Sequence, residues 1–256
     1  PIKVTAPPGS IFNPRAPASA EARFTQCNRM IDLIIRALAP VMPEQVIAGS
    51  SASISFAAYS GVRPSGDYWV FLEVNEGAYG GRPRSDGPDS IDKLMANTRN
   101  NPLEDLAMHI PMICDRYELR DDAPPGAGEF RGGIGVVKAQ RVLTPAFITH
   151  ESERHTDAPW GIFGGQDGAV GRCTISNPSR PGQEHEMHSK FSGLSVGADD
   201  VMTYYSPNGG GYGNPLNRAP RKVLEDVLDG FCALKDAREV YGVAIDLEAE
   251  TVDLAA

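Results

Sequence analysis

Basic residues are in the minority: 24 Lys and Arg stand against 33 Asp and Glu, a formal net charge of −9. A surface of that sign repels phosphate backbones, which argues against nucleic acid as a partner. Long apolar runs are missing too. The longest, Ile31–Leu38, is interrupted by Asp32 and Arg36, so no segment reads as a membrane span. The four cysteines (Cys27, Cys114, Cys173 and Cys232) are far apart and form no C-x-x-C pair. They read as reduced thiols of a cytoplasmic protein. The opening PIKVTAPPGS has no basic–apolar–small targeting pattern, in keeping with that localisation. The chain also lacks the G-x-x-x-x-G-K phosphate loop and the G-x-S-x-G nucleophile elbow.

What is abundant is glycine (27) and proline (21) in 256 residues, which favours strands and loops over a helical bundle. Ser19 is placed to cap a helix running to about Val41, where Pro40 and Pro43 stop it. Phe24, Cys27, Ile31, Ile34, Ile35 and Leu38 recur at three- and four-residue spacing, which predicts one buried stripe. Strands are expected at Ile2–Thr5, in Val46–Tyr59 and at Asp67–Val74, then short helices at about Ile91–Ala96 and Leu103–His109. From Ile113 to about Val201, ICDRYELR, GIGVVKAQRVL, AFITHES and VGRCTISN read as strands between turns. Val223–Leu228 and Leu234–Tyr241 read as helices, and Val243–Leu247 as a strand pairing with Glu250–Leu254.

The expected fold class is therefore α+β. An N-terminal helix and small-residue strands precede a mostly antiparallel β region, sandwich or barrel-like, with short C-terminal helices. A division into 1–112, containing the helix, and 113–256, rich in strands, is one reading. A single domain is the other.

Two loops attract notice. SPNGGGYGNPLNR (206–218) holds four glycines and two prolines. It lacks the strand–loop–long-helix setting of a dinucleotide fingerprint. Its glycines, Gly209, Gly210 and Gly211 with Tyr212, ask for backbone room or positive φ, as a structural turn packed on its neighbours or as a loop close to a site or an interface. The second, EGAYGGRPRSDGPDSID, sets Arg82, Arg84 and Asp86 on a loop after a strand, a common way to position substrate. Histidines are few. His185 and His188 form H-E-M-H, but i and i+3 point to opposite faces of a strand, so metal ligation is not expected there. His150 and His155 flank ESER; with Glu151 and Glu153 they read either as a site or, the preferred reading, as part of a solvated charged segment. His109, at a helix end, reads as capping or packing. No residue reads as a catalytic base.

Several segments, in order, are similar to one family: PPGSIFNPRAPAS (7–19), EGAYGGRPRSDGPDS (76–90), ANTRNNPLED (96–105), RYELRDDAPPGAGEFRGGIG (116–135), PWGIFGGQDG (159–168), SPNGGGYGNPLNR (206–218) and DVLDGFCALKDAREVYGV (226–243). The chain resembles the B subunit of hydantoinases, equivalent to the second half of 5-oxoprolinase and related to ketone carboxylase subunits. It departs from the family pattern at Ala123–Pro124–Pro125, where the family carries Ser and Gly.

The resemblance implies an ATP-dependent amidohydrolase acting on a small cyclic amide (a hydantoin, 5-oxoproline or a lactam). An ATPase-like A subunit with ATP and Mg would activate the amide oxygen, and metal-assisted water attack on the B side would open the ring. It also implies that this chain matches only the C-terminal part of a B subunit. The divalent metal then belongs to a separate N-terminal half, and this chain supplies no ligand. Arg82, Arg84 and Asp86 would contact substrate or shape the chamber. The alternatives are a ketone carboxylase subunit and a non-catalytic module completing a split B subunit.

Overall fold

The computed structural model describes residues 3, 5–18, 23–52, 55–92, 94–96 and 98–252. The expected cap Ser19 lies outside these residues, as do Ile2 and Val4 of the expected first strand. The chain order is α1 (Arg23–Leu38), β1 (Ser55–Val62), β2 (Tyr68–Asn75), α2 (Leu103–His109), β3 (Met112–Leu119), β4 (Val136–Val142), β5 (Ala146–Glu151), β6 (Arg172–Ser176), β7 (His185–Met187), β8 (Lys190–Val196), β9 (Val201–Tyr205), α3 (Pro220–Leu228), α4 (Leu234–Glu239), β10 (Ile245–Asp246) and β11 (Thr251–Val252).

The strands form a four-stranded sheet, β2-β1-β5-β8, and a five-stranded sheet, β3-β4-β9-β6-β7, with β10 and β11 as a separate pair. All pairings are antiparallel. The two larger sheets face each other as an open sandwich. Ala57, Tyr59, Trp69, Ala146, Ile148 and Val196 of the first pack against Met112, Val142, Cys173, Met202 and Tyr204 of the second.

The period-2 pattern explains which faces meet. In β2, Trp69, Glu73 and Asn75 turn inward, while Tyr68, Val70 and Leu72 turn out. Apolar residues fill one end of the sandwich interior. The other end is polar, with Ser55, Glu73, Lys138, Gln140, His150 and Tyr204 on the inward registers.

Three local expectations are corrected. Strand β1 begins only at Ser55. Upstream, the chain pairs with loops: the amides of Ala48, Gly49 and Ser51 donate to Gly81, Trp160 and Ala78 at 2.9, 2.8 and 2.9 Å. Ile91 is not helical but bridged to Gly77 by two backbone bonds of 3.0 and 3.2 Å, because the 76–90 loop closes on itself there. The buried side of α1 is polar, formed by Thr25, Asn28 and Asp32, and much of the apolar stripe faces outward. Buried partners for Asn28 and Asp32 fix that orientation.

Candidate functional site

The glycine loops converge beyond the polar end of the sandwich. Gly209, Gly210 and Gly211 run through the middle of this convergence. Gly210 donates to Gly49 and accepts from Gly81, both at 2.8 Å, and Gly209 donates to Gly133 and accepts from Gly126, both at 2.9 Å. Gly211 donates to Gln166 at 2.8 Å and accepts from Ile162 at 2.9 Å. A β-carbon on Gly209 would sit inside the carbonyl of Tyr79, one on Gly210 inside that of Trp160, and one on Gly211 inside that of Ala127. The triplet therefore supplies room and not positive φ, which in this loop falls on Gly213 (φ 76). Tyr212 pairs with Phe130 through both backbone groups, at 2.9 and 3.0 Å, and its hydroxyl donates to the Pro43 carbonyl at 2.8 Å.

Beside this centre lies a buried charge network that no sequence motif announces. Asp226 of α3 accepts from Arg131 Nε at 3.0 Å and from Arg218 Nη2 at 2.7 Å. Arg218 also donates to Asp86 at 2.6 Å, and Arg131 to Asp89 at 2.9 Å. Burial works to raise the Asp86 carboxyl, but Arg218, then Arg131 and Lys222, hold it below the ordinary aspartate value. Burial likewise opposes the charge on Arg131 and Arg218, and their carboxylates outweigh it. Arg131 lies in the RGG and Arg218 ends the NPLNR, so both stand inside the family-like segments. Their aspartate partners in the 76–90 loop are 42 to 132 residues away in sequence, and no local pattern encodes such pairs.

The three charged residues singled out from sequence fare differently. Asp86 joins this network. Arg82 closes its own loop, donating through Nε and Nη2 to the Asp86 carbonyl at 3.1 and 2.8 Å. The Arg84 side chain is 86% exposed, with Glu44 facing it at 4.0 Å.

A cleft of about 350 Å³ is lined by Arg120–Pro125, Ile134 and Gly230–Ala233 with Asp236. A smaller cavity of about 110 Å³ adjoins it, sharing Pro124, Pro125, Phe231, Cys232 and Asp236 and reaching Arg131 and Asp226. The Ala123–Pro125 departure thus forms one wall. Asn208 of the glycine loop fixes that wall by donating to the Ala123 and Pro124 carbonyls at 2.8 and 3.1 Å. Burial pushes the Cys232 thiol up to about 11, so it is not a thiolate nucleophile at neutral pH.

The polar end of the sandwich interior holds titratable groups. The Ser55 hydroxyl lies 2.7 Å from that of Ser152 and 2.5 Å from that of Tyr204. His150 and His155 pack around the Tyr204 ring, with their own centroids 6.4 Å apart. His150 is buried and His155 half-buried, contrary to the solvated segment expected. Burial, followed by neighbouring positive charge, lowers both to about 4, so they are neutral. Glu73 accepts from Lys138 and Gln140, yet burial raises its pKa beyond what Lys138 can offset. His109 is exposed beside Asp105 at the end of α2.

His185, in β7, and His188, just after it, are both exposed. Among the described residues, no three His, Cys, Asp or Glu side chains are grouped to hold a metal ion. The donors among the described residues do not fit the divalent metal that the resemblance implies. No helix among the described residues is long and apolar enough to cross a membrane.

Residues 1–215 match the family model of Hydantoinase B/oxoprolinase, and the chain belongs to that family. It is 42% identical over 254 residues to the B subunit of a putative D-/L-hydantoinase from a Pseudomonas species (strain NS671), covering 99% of this chain and 42% of that protein. It is 28% identical over 255 residues to the beta subunit of the caprolactamase of Pseudomonas jessenii, covering 94% of this chain and 42% of that one. The crystal structure of the ATP-dependent caprolactamase from Pseudomonas jessenii matches with a TM-score of 0.79 at 25% identity, over 98% of this chain and 45% of the other. A nucleotide-free acetone carboxylase shares the fold, with a TM-score of 0.69 at 19% identity over 85% of this chain and 33% of that one. The chain thus spans about two-fifths of the length of the hydantoinase and caprolactamase subunits it matches.

Proposed function

We propose that this chain forms part of the B side of an ATP-dependent amidohydrolase that opens a small cyclic amide, a hydantoin, 5-oxoproline or a lactam. The observation that carries the reading is the similarity to a hydantoinase B subunit along 99% of the chain. That similarity takes in the glycine segments whose backbones meet at the centre of the structure. ATP and Mg are used by a separate ATPase-like subunit. A divalent metal is held by B-side polypeptide beyond this chain.

In this reading the chain's own residues shape the chamber. The Asp86–Arg218–Asp226–Arg131 network and the glycine triplet fix the walls. Arg84, whose guanidinium extends into solvent, is the residue of the 76–90 loop free to meet an anionic or carbonyl oxygen. The cleft beside Pro124, Pro125 and Phe231 is of a volume suited to a small ring. The chain alone is inactive.

The test is reconstitution with an ATPase-like subunit and the remaining B-side chain. ATP-dependent loss of a cyclic amide supports the proposal. Bicarbonate-dependent loss of a ketone instead would transfer the chain to the carboxylase branch.

A further inference from the structure

The two cavities share Pro124 and Pro125 as a wall, and one carboxylate lines both. Asp236, half-buried in the first turn of α4, borders the cleft of about 350 Å³ and the adjoining cavity of about 110 Å³. The other charges on these walls have their opposite charges in place. Arg120 holds Asp122, which also pairs with Arg172, and Asp121 pairs with Arg116. Arg131 holds Asp89 and Asp226. Among the described residues, no hydrogen bond or ion pair engages the Asp236 carboxylate.

A second polar group is left unsatisfied in the same place. Tyr241 is 7% exposed and lines the smaller cavity, and no hydrogen bond engages its hydroxyl among the described residues. A tyrosine buried this deeply ordinarily finds a partner for its O–H. Burial raises the phenol above its ordinary value, against the pull of Arg218 and Arg131, so it stays protonated and able to donate. Pro124, Pro125, Phe231 and Val240 give the cavity apolar walls.

An unpaired acceptor and an unpaired donor lining one cavity define the ligand's chemistry. In a small ring the amide is locked cis, so its N–H and C=O project to the same side. The N–H suits Asp236 and the C=O suits Tyr241. Charge narrows the choice further. Both guanidiniums lining the cavities are already taken up by aspartates. A carboxylate on the ring would therefore face Asp236 with no free cation on these walls to hold it.

We propose that Asp236 and Tyr241 are specificity-determining residues that select an uncharged cyclic amide, a hydantoin or a lactam without a ring carboxylate, over 5-oxoproline. The inference rests on the reading of this cleft given above and narrows its substrate class.

The experiment titrates the full chain at pH 7 with three matched probes, read by ligand-detected magnetic resonance: 2-pyrrolidinone, its N-methyl derivative, and 5-oxoproline, which is the same ring with a carboxylate. The expected result is that 2-pyrrolidinone binds and that the other two bind about tenfold or more weakly, one for want of the N–H and one for its charge. Asp236→Asn should bring the ratio of 2-pyrrolidinone to 5-oxoproline affinity towards one. Tyr241→Phe should weaken 2-pyrrolidinone several-fold. Neither group has a partner to lose, so thermal melts of both variants should match the parent.

No binding of 2-pyrrolidinone, equal binding of the three probes, or an affinity ratio indifferent to Asp236→Asn would each overturn the proposal. Ring opening by the assembled enzyme is scored separately. If the assembly opens cyclic amides but Asp236→Asn leaves its kcat/KM preference between 2-pyrrolidinone and 5-oxoproline unchanged, this inference falls and the functional reading stands. If the chain binds the probes with the expected preference while the assembly opens no ring, the functional reading falls and the binding site stands.

Discussion

Gly81 donates its amide proton to the carbonyl of Gly210 at 2.8 Å, and a β-carbon on Gly210 would collide with the carbonyl of Trp160. The obstacle on both sides is backbone, which cannot swing away as a side-chain tip can. Gly210→Ala is expected to destabilise the chain by about 3 kcal/mol or more, at or beyond the top of the range for overpacking. Gly210→Val should give no soluble protein. Gly197→Ala, where the nearest contact is Asp200 at 3.7 Å, should stay within about 0.5 kcal/mol. Urea unfolding of Gly210→Ala and Gly197→Ala, with the soluble yield of Gly210→Val, decides the matter, and a neutral Gly210→Ala would remove the close-packing account.

Asp226 holds two nearly buried guanidiniums, Arg131 and Arg218. Removing one member of such a set leaves uncompensated buried charge, which typically costs about 3–5 kcal/mol. Asp226→Ala should fall in that range in denaturant titration. A loss below about 1 kcal/mol would show that Asp86 and Asp89 suffice for both arginines.

Arg84 is the opposite case. Its side chain is exposed and its ion pair with Glu44 is long, so Arg84→Ala should leave the melting temperature unchanged. In the assembled enzyme it should lower turnover several-fold without dissociating the subunits. Unchanged kinetics would return this residue to the solvated surface.

Buried His150 and half-buried His155 set a pH dependence. Their unfolded value is 6.5 and their folded values about 4. Between these pH values the unfolded chain binds more protons, so stability falls as the pH is lowered through that window. The slope is at most about 1.4 kcal/mol per pH unit for each imidazole. Glu73, whose folded pKa is raised, acts in the opposite sense just above its ordinary value. Asp86 and Asp122, both lowered, add losses only below about 4. His150→Gln and His155→Gln should each flatten the slope from pH 6.5 to 4, measured by thermal melts across the range. An unaltered slope would mean these imidazoles do not titrate on unfolding as described.

Much of the strand content was legible, because β2 and α2 announce themselves through alternation and local composition. The register of the two sheets was not, since β1 pairs with β5 across about ninety residues. The α1 stripe was visible as a period but not as to its side. Periodicity reports that an apolar face exists and is silent about what covers it. The glycine loop was legible as a demand for room or positive φ, and only the neighbouring carbonyls show that room is what counts. Arg131, Arg218 and Asp226 stand in family-like segments, yet their pairing depends on contacts that no spacing encodes. His150 and His155 looked solvated because Glu151 and Glu153 surround them in sequence. The strand alternation that carries His150 inward at β5 was the available signal.

The most direct measurement is product formation from a cyclic amide by the chain assembled with an ATPase-like subunit and the remaining B-side polypeptide, followed by chromatography with ADP release. The account predicts ring-opened product in step with ADP from the assembly, and none from the chain alone. Ring opening by the isolated chain without ATP, or no ring opening by an intact assembly, would contradict it.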